Sequence, residues 1–458
     1  MRSIKTIALQ MLAAIACICI YSSCSDNDYI NAIPANSNAL ITIDTKALNE
    51  QTGTAENNVV NSLLKVDNAE ECGIDFASKI FLFETTDGNL GMCAKVNDKS
   101  SLLDWLEKLN KKGFCSKTTE KRDFCFALLN NSWAIGVSDK AAVIIGPILP
   151  AQQADAIRLL AKCLKQDEDD GIRSTPLFDK LDSIDSPVSI VAQVDALPEK
   201  LAAPFTIGAP KGADASQLCI AASLTTNSNG CMSISGKPFS FNKDIDKALN
   251  TSNAKLRKIK GHYINNIPGN TLCSIFLNAN GNDFVNMMHN SASLGVLLAG
   301  MNTAIDMDNI LRCVDGEMTF GIDAFSDKNI SMSMAAQLAK TDFLKDVDYW
   351  KESCQNGSSI TTCGKNKFVY NSNDARFWFG VSTAKEFYGS SMEEIGENIL
   401  KPAKTQLSSD VKKLIPGERF CMVINVKQMN KENKDLQFVT DLLKPLFGNV
   451  NYIVYSIK

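Results

Sequence analysis

The chain has 458 residues, 45% of them apolar and 21% charged, with 26 Gly and 13 Pro. This composition excludes a disordered, collagen-like or coiled-coil chain. Basic residues number 47 against 51 acidic, a net charge of -4, so no polybasic surface points to nucleic acid. The two histidines, His262 and His289, leave little room for imidazole chemistry.

Residues 1–23 read as a signal peptide. Arg2 and Lys5 form a positive start, and Ile7–Ile20 is apolar apart from Gln10. That run falls short of the roughly 20 residues of a membrane-spanning helix and has the length of a signal-peptide core. Ser22-Ser23-Cys24 follows, and the chain then turns polar at Ser25-Asp26-Asn27-Asp28. This junction resembles a bacterial lipobox, in which the cysteine is acylated and becomes the first residue. Tyr21 departs from that pattern, where Leu is usual. Cys17 is a rival, but it lies inside the apolar run, whereas Cys24 marks its end. Two or three acyl chains of the palmitate kind, at about 0.8 kcal/mol per buried CH₂, anchor a protein without a transmembrane helix.

A repeated phrase organises the rest. Ile33-Pro34 precedes ANSNALITID, and Ile267-Pro268 precedes GNTLCSIFLN, with Tyr29-Ile30-Asn31 echoed by Tyr263-Ile264-Asn265. Shorter echoes start at Pro187 and Pro416, and an Asp or Asn closes each phrase at Asp44, Asp195, Asn278 and Asn425. Such residues accept backbone N–H groups at helix and turn starts, so capping is expected of all four.

In chain order, strands are expected at Ala39–Ile43, Lys79–Phe83 and Leu90–Val96, then a helix at Ser101–Leu109 capped by Asn97 or Asp98. Strands Phe124–Leu129 and Ser132–Val137 precede a helix that opens near Pro150 and ends in the acidic loop Asp167–Asp170. Strands are also expected at Val143–Ile145 and Leu218–Ser223, and a helix over Asp244–Ile259 links the halves. The second half repeats the order: strands Glu317–Ile322 and Ile330–Leu338, a helix at Asp342–Trp350, strands Lys367–Tyr370 and Arg376–Val381, and a last strand at Tyr452–Ile457. The reading is an α+β protein, a tandem duplication with mainly antiparallel sheets and packed helices. Its parts are residues 1–23 (signal peptide), 24–261 (first module with the linker helix) and 262–458 (second module).

Fifteen cysteines contain no C-x-x-C, and neither histidine has a partner at metal-ligand spacing, so neither a metal site nor a cofactor is expected. Cys115 and Cys125 flank a polar loop, and Cys354 and Cys363 occupy the matching place in the second half. In an exported protein these pairs are candidate disulfides; the alternative is four reduced, semi-buried thiols. A Cys–His nucleophile has no specified pairing, and the G-x-S-x-G elbow is absent. The stretch from Gly357 to Gly364 has too long a spacing for a phosphate loop and Asn366 where Ser or Thr belongs, so a hairpin turn is expected.

The acylated Cys24, the phrase from Tyr29 to Leu48 and its reprise resemble a family of uncharacterised Bacteroidetes outer-membrane lipoproteins, a domain of unknown function. The resemblance implies an outer-membrane lipoprotein, on its periplasmic or outer face, and brings no catalytic residues. The expected function is a non-catalytic envelope lipoprotein, held to the outer membrane by its lipid and binding a protein or glycan partner. The alternative is a carboxylate-dependent hydrolase of envelope or extracellular polymers, its acids brought together by the fold.

Overall fold

The computed structural model describes residues 27–52, 69–197, 206, 208–210, 212–290, 305–325, 330–354, 357–373, 375–432, 444 and 447–458. Strands dominate, helices accompany them, and the sheet is open and mixed. The chain divides into two compact units, residues 1–50 with 54–192 and residues 51–53 with 193–458.

The first unit holds β1 Ser37–Ile43, β2 Ile80–Thr85, β3 Leu90–Lys95, β4 Thr119–Lys121, β5 Phe124–Leu129, β6 Trp133–Val137, β7 Ala141–Gly146 and β8 Val188–Gln193. All ladders are antiparallel, in the order β4-β5-β6-β7-β3-β2-β1-β8. Arg122 and Asp123 both take positive φ (51° and 65°), the backbone of a two-residue turn whose twist matches the strands it joins.

Consecutive side chains on a strand point to opposite faces, and both faces of this sheet are covered. Ile135 packs on one face with Cys125, Ala127, Val137 and Ala142 under the Lys99–Lys111 helix. That helix buries Leu102, Leu106 and Leu109, and its Asp98 cap accepts from Ser100 N at 2.8 Å and Ser101 N at 3.2 Å. Gly136 faces the other way, where the Gln153–Cys163 helix comes so close that an added Cβ would lie 3.2 Å from Leu160 Cβ.

The two rims of this sheet differ in chemistry. At one, Asp28 pairs with Lys140 at 2.6 Å and Asp139 with Lys99 at 3.0 Å. At the other, Leu149, Leu90 and Phe114 are 66%, 45% and 39% exposed. Leu90 stands opposite Gly146, Ile148 N donates to Ser132 O, and Asn130 N donates to Phe114 O. These contacts place the three apolar side chains along one edge.

The second unit holds β9 Cys219–Thr226, β10 Cys231–Phe239, β11 Cys273–Asn280, β12 Val314–Phe325, β13 Ile330–Leu338, β14 Ser359–Gly364, β15 Lys367–Asn371, β16 Arg376–Val381, β17 Glu386–Ser390, β18 Phe420–Ile424 and β19 Tyr452–Ile457. Its order is β14-β15-β16-β17-β13-β12-β11-β18-β19-β10-β9. One ladder, β10 with β19, is parallel. That pairing explains why β9, β10 and the Lys243–Lys255 helix fall in the second unit, although they precede its phrase in the chain. Neighbouring residues again serve opposite cores: Leu277 joins Val285, Ile310, Phe343 and Phe387, whereas Phe276 joins Tyr263, Ile267, Val411 and Ile415.

The phrase-closing residues divide. Asp44 Oδ1 accepts from Ala47 N at 2.9 Å and Asn425 Oδ1 from Gln428 N at 3.1 Å, as expected of caps. Asp195 lies inside the short 3-10 turn Val194–Ala196. Asn278 is no cap: β11 runs on to Asn280, whose Oδ1 accepts from Asn282 N at 3.0 Å at the start of the Gly281–Asn290 helix. The stretch from Gly357 does enter a hairpin, β14 turning into β15 through Asn366 at φ 57°.

Candidate functional site

In the second unit, residues 256–263 run as a strap sewn to the sheet. Arg257 N donates to Asn278 O, Asn278 Nδ2 to Lys258 O, Ile259 N to Glu418 O and Gly417 N to Ile259 O. Arg257 Nη2 reaches both Ala279 O and Asp315 Oδ1 at 2.8 Å. Beneath the strap lies Glu317 on β12, only 4% exposed. Its Oε1 accepts from Lys260 N (2.6 Å) and Gly261 N (3.2 Å), and its Oε2 from Gly261 N (3.0 Å) and His262 N (2.7 Å).

Local sequence makes this clasp. Gly261 takes φ 102°, so three successive amides can turn toward one carboxylate. Gly316 lets Gln337 come in, since a Cβ there would lie 2.5 Å from Gln337 Oε1, which accepts from Glu317 N at 2.9 Å. With Arg257, Lys258, Lys260, Asn278 and Asp315, these residues line a cleft of about 330 Å³.

A second carboxylate flanks the strap. Glu386 Oε1 lies 2.7 Å from His262 Nε2 and accepts from Tyr263 Oη at 3.1 Å. Burial pushes the Tyr263 phenol far above its ordinary value, with the negative charge of Glu386 adding to the effect, so it stays a donor.

The chemistry open to these acids is narrow. A carboxylate offers about four lone-pair directions, and three backbone amides occupy both oxygens of Glu317, with Gly261 N shared between them. It is therefore an anchor for the strap and presents no free oxygen to a proton or a substrate carbon. Glu386 is engaged by two side chains, both through Oε1. A second cleft of about 280 Å³, lined by Gly269, Gln406, Asn425, Lys427, Lys431 and Tyr452, is similarly self-satisfied, with Asn425 Nδ2 donating to Gly269 O. Both clefts sit at the bottom of the size range of ligand pockets, roughly 300–1,000 Å³.

Each imidazole faces a carboxylate through Nε2: His262 lies 2.7 Å from Glu386, and His289 2.7 Å from Asp308. Cys115, Cys125, Cys354 and Cys363 are all free thiols in the structure. Cys115 pairs with Leu129, four residues along β5 from Cys125, a displacement of about 13 Å at strand rise. A disulfide tolerates roughly 7 Å between Cα atoms. Cys354 Sγ donates to Trp350 O, and Cys363 is exposed on β14. Cys24 lies outside the described residues. Among the described residues no group of three His, Cys, Asp or Glu side chains could hold a metal ion, and no helix is long and apolar enough to cross a membrane.

Sequence reading missed Glu317 and Glu386 as partners of the strap. Glu386 opens β17 and Glu317 lies near the start of β12, two residues after Asp315, and nothing in their neighbours marks either as buried or shared.

One further acid sits oddly in the sheet. Asp323 Oδ1 accepts from Thr271 Oγ1 at 2.8 Å, while its Oδ2 and Ser333 Oγ are buried without a partner. Burial raises the carboxyl above its usual range, against the opposing pull of the Thr271 hydroxyl. A folded-state value above the unfolded one means that its contribution to stability is present at low pH and lost as pH rises through the folded value. Asp323→Asn is expected to raise the melting temperature at pH 7.5 and to lose that advantage near pH 4. An equal shift at both pH values in a thermal melt would count against this account.

A model of the family described as Domain of unknown function (DUF4836) matches residues 42–429 of the chain. No curated protein and no solved structure matches it significantly.

Proposed function

The chain belongs to the DUF4836 family, and since that membership brings no reaction with it, we propose a non-catalytic cell-envelope lipoprotein that binds a partner. The observation that carries this reading is the state of Glu317: a buried carboxylate at a cleft of about 330 Å³ has both oxygens turned to three backbone amides of the strap and so serves to hold it. A carboxylate hydrolase would need at least one acid aimed at open space; at the strap Glu317 has both oxygens engaged by backbone amides, and Glu386 has its Oε1 engaged by His262 and Tyr263.

The anchor is Cys24, acylated after removal of residues 1–23, in the outer membrane. The body is a tandem duplication. Its support is the shared order of ladders: β4-β5-β6-β7-β3-β2-β1-β8 in the first unit corresponds, strand for strand, to β14-β15-β16-β17-β13-β12-β11-β18 in the second. Finer matches agree. Pro34 bridges Gly171 as Pro268 bridges Gln406. Asp28 pairs with Lys140 where His262 pairs with Glu386, the same joint made with different charges.

For the partner, a protein surface fits better than a glycan. The exposed apolar edge of the first unit is built from Leu90, Leu149 and Phe114, whereas sugars stack on aromatic platforms. A photoactivatable residue at Leu149 in intact cells is expected to give a discrete protein adduct, and the same residue at Lys345, 80% exposed in the second unit, none. Absence of an adduct from Leu149, or turnover of a peptide, ester or glycoside by the purified protein, would overturn the reading.

A further inference from the structure

We infer that the Asp28–Lys140 rim of the first unit rests on the headgroup layer of the bilayer that holds the lipid, an inference that stands on the Cys24 anchor proposed above. It comes from how soon after Cys24 the fold begins. The 3-10 turn Asp28–Ala32 already buries Tyr29, Ile30, Asn31 and Ala32. Tyr29 Oη donates to Lys79 O at 2.7 Å, and the Asp28 carboxylate accepts from Lys140 Nζ at 2.6 Å. Asp28 therefore moves with the sheet.

Covalent geometry then limits the separation. Four residues from Cys24 to Asp28 span at most about 14 Å when fully extended. The acyl chains hold Cys24 at the hydrocarbon boundary, and the headgroup layer beyond it is itself roughly 5–7 Å thick. Less than about 10 Å of reach is left for Asp28, so whatever surrounds Asp28 must touch or nearly touch the headgroups.

The contacts define that surface. Lys140 O accepts from Val96 N, Asp139 pairs with Lys99, and Lys99 Nζ donates to Asp123 O at 3.0 Å. The β6–β7 turn, the β4–β5 turn and the start of the Lys99–Lys111 helix thus form one rim with Asp28. Its cations Lys99, Arg122 and Lys140 are interspersed with the anions Asp28, Asp98, Asp123 and Asp139. A polar rim of mixed charge suits lying on zwitterionic headgroups without entering the hydrocarbon. The apolar edge with Leu149 is at the other end of the strands, about 20 Å away at six residues of β5, and so is turned from the bilayer toward the partner.

Two lysines of similar exposure report on the two ends: Lys140 at 66% and Lys111, at the far end of the helix that starts at Lys99, at 73%. Acylated full-length protein on phosphatidylcholine vesicles, and Cys24→Ser protein in solution, are treated with limiting membrane-impermeant amine reagent and read by peptide mass spectrometry. Lys140 is expected to react several-fold more slowly on vesicles, with Lys111 unchanged. Unchanged reaction at Lys140 in vesicle-bound protein overturns the rim contact while leaving the anchor in place, and slowing at both lysines overturns the orientation. Failure of the acylated protein to float with the vesicles overturns the anchor and the contact with it.

Discussion

Glu317→Ala is expected to lower the unfolding free energy by about 3–5 kcal/mol, the cost of stripping a buried charged partner from groups that stay behind. The carboxylate is the acceptor for three consecutive amides, of Lys260, Gly261 and His262. Removing it leaves those three N–H groups without their acceptor. Glu317→Gln keeps one oxygen but turns an NH₂ toward amides that also donate, so about half of that loss is expected. Urea titration of both variants checks the order. A loss below about 1 kcal/mol for the alanine variant would mean that water replaces the carboxylate, and the cleft beneath the strap would then regain interest as a binding site.

Gly281→Ala ranks second, with an expected loss of about 3 kcal/mol or more from overpacking against backbone. Gly281 opens the Gly281–Asn290 helix, and a Cβ there would lie 1.9 Å from Leu311 O and 3.0 Å from Val314 O. The Leu311 oxygen cannot yield without moving the Met307–Arg312 helix that buries Ile310 and Leu311, nor the Val314 oxygen without moving the start of β12. Gly396→Ala is the control, since nothing lies within 4 Å of its added Cβ. Equal midpoints for the two variants in a denaturant titration would show that the helix pair slides apart at little cost.

Much of the fold was legible because its signals are local. Phe124–Leu129, Arg376–Val381 and Tyr452–Ile457 form strands with the bounds that pattern gave, and Asp98 caps the helix of Leu102 and Leu106. The failures are those of distance. β10 carries Gly236 and Pro238, residues that argue against a strand. It tolerates them because β19 pairs with it only from Cys231 to Ser235, leaving Pro238 on an edge. Asn278 looked like a cap because its phrase resembles that of Asp44, yet β11 runs two residues past Asn278 and the duty moves to Asn280. The candidate site was the least legible part. Glu317 gains its meaning from a glycine 56 residues earlier, and burial of an acid leaves no trace in its immediate neighbours.

The parallel ladder between β10 and β19 also dictates when the molecule can be finished. Cys231 must wait for Tyr452, and β18 for the same strand on its other side, so contacts spanning some 220 positions close last. A chain emerging from its N-terminus can complete its first unit while the remainder is still being made, but the second stays unsealed until Tyr452–Ile457 has arrived. A nascent chain stopped before Tyr452 would expose two bare strand edges at once, a ready flag for proteolysis.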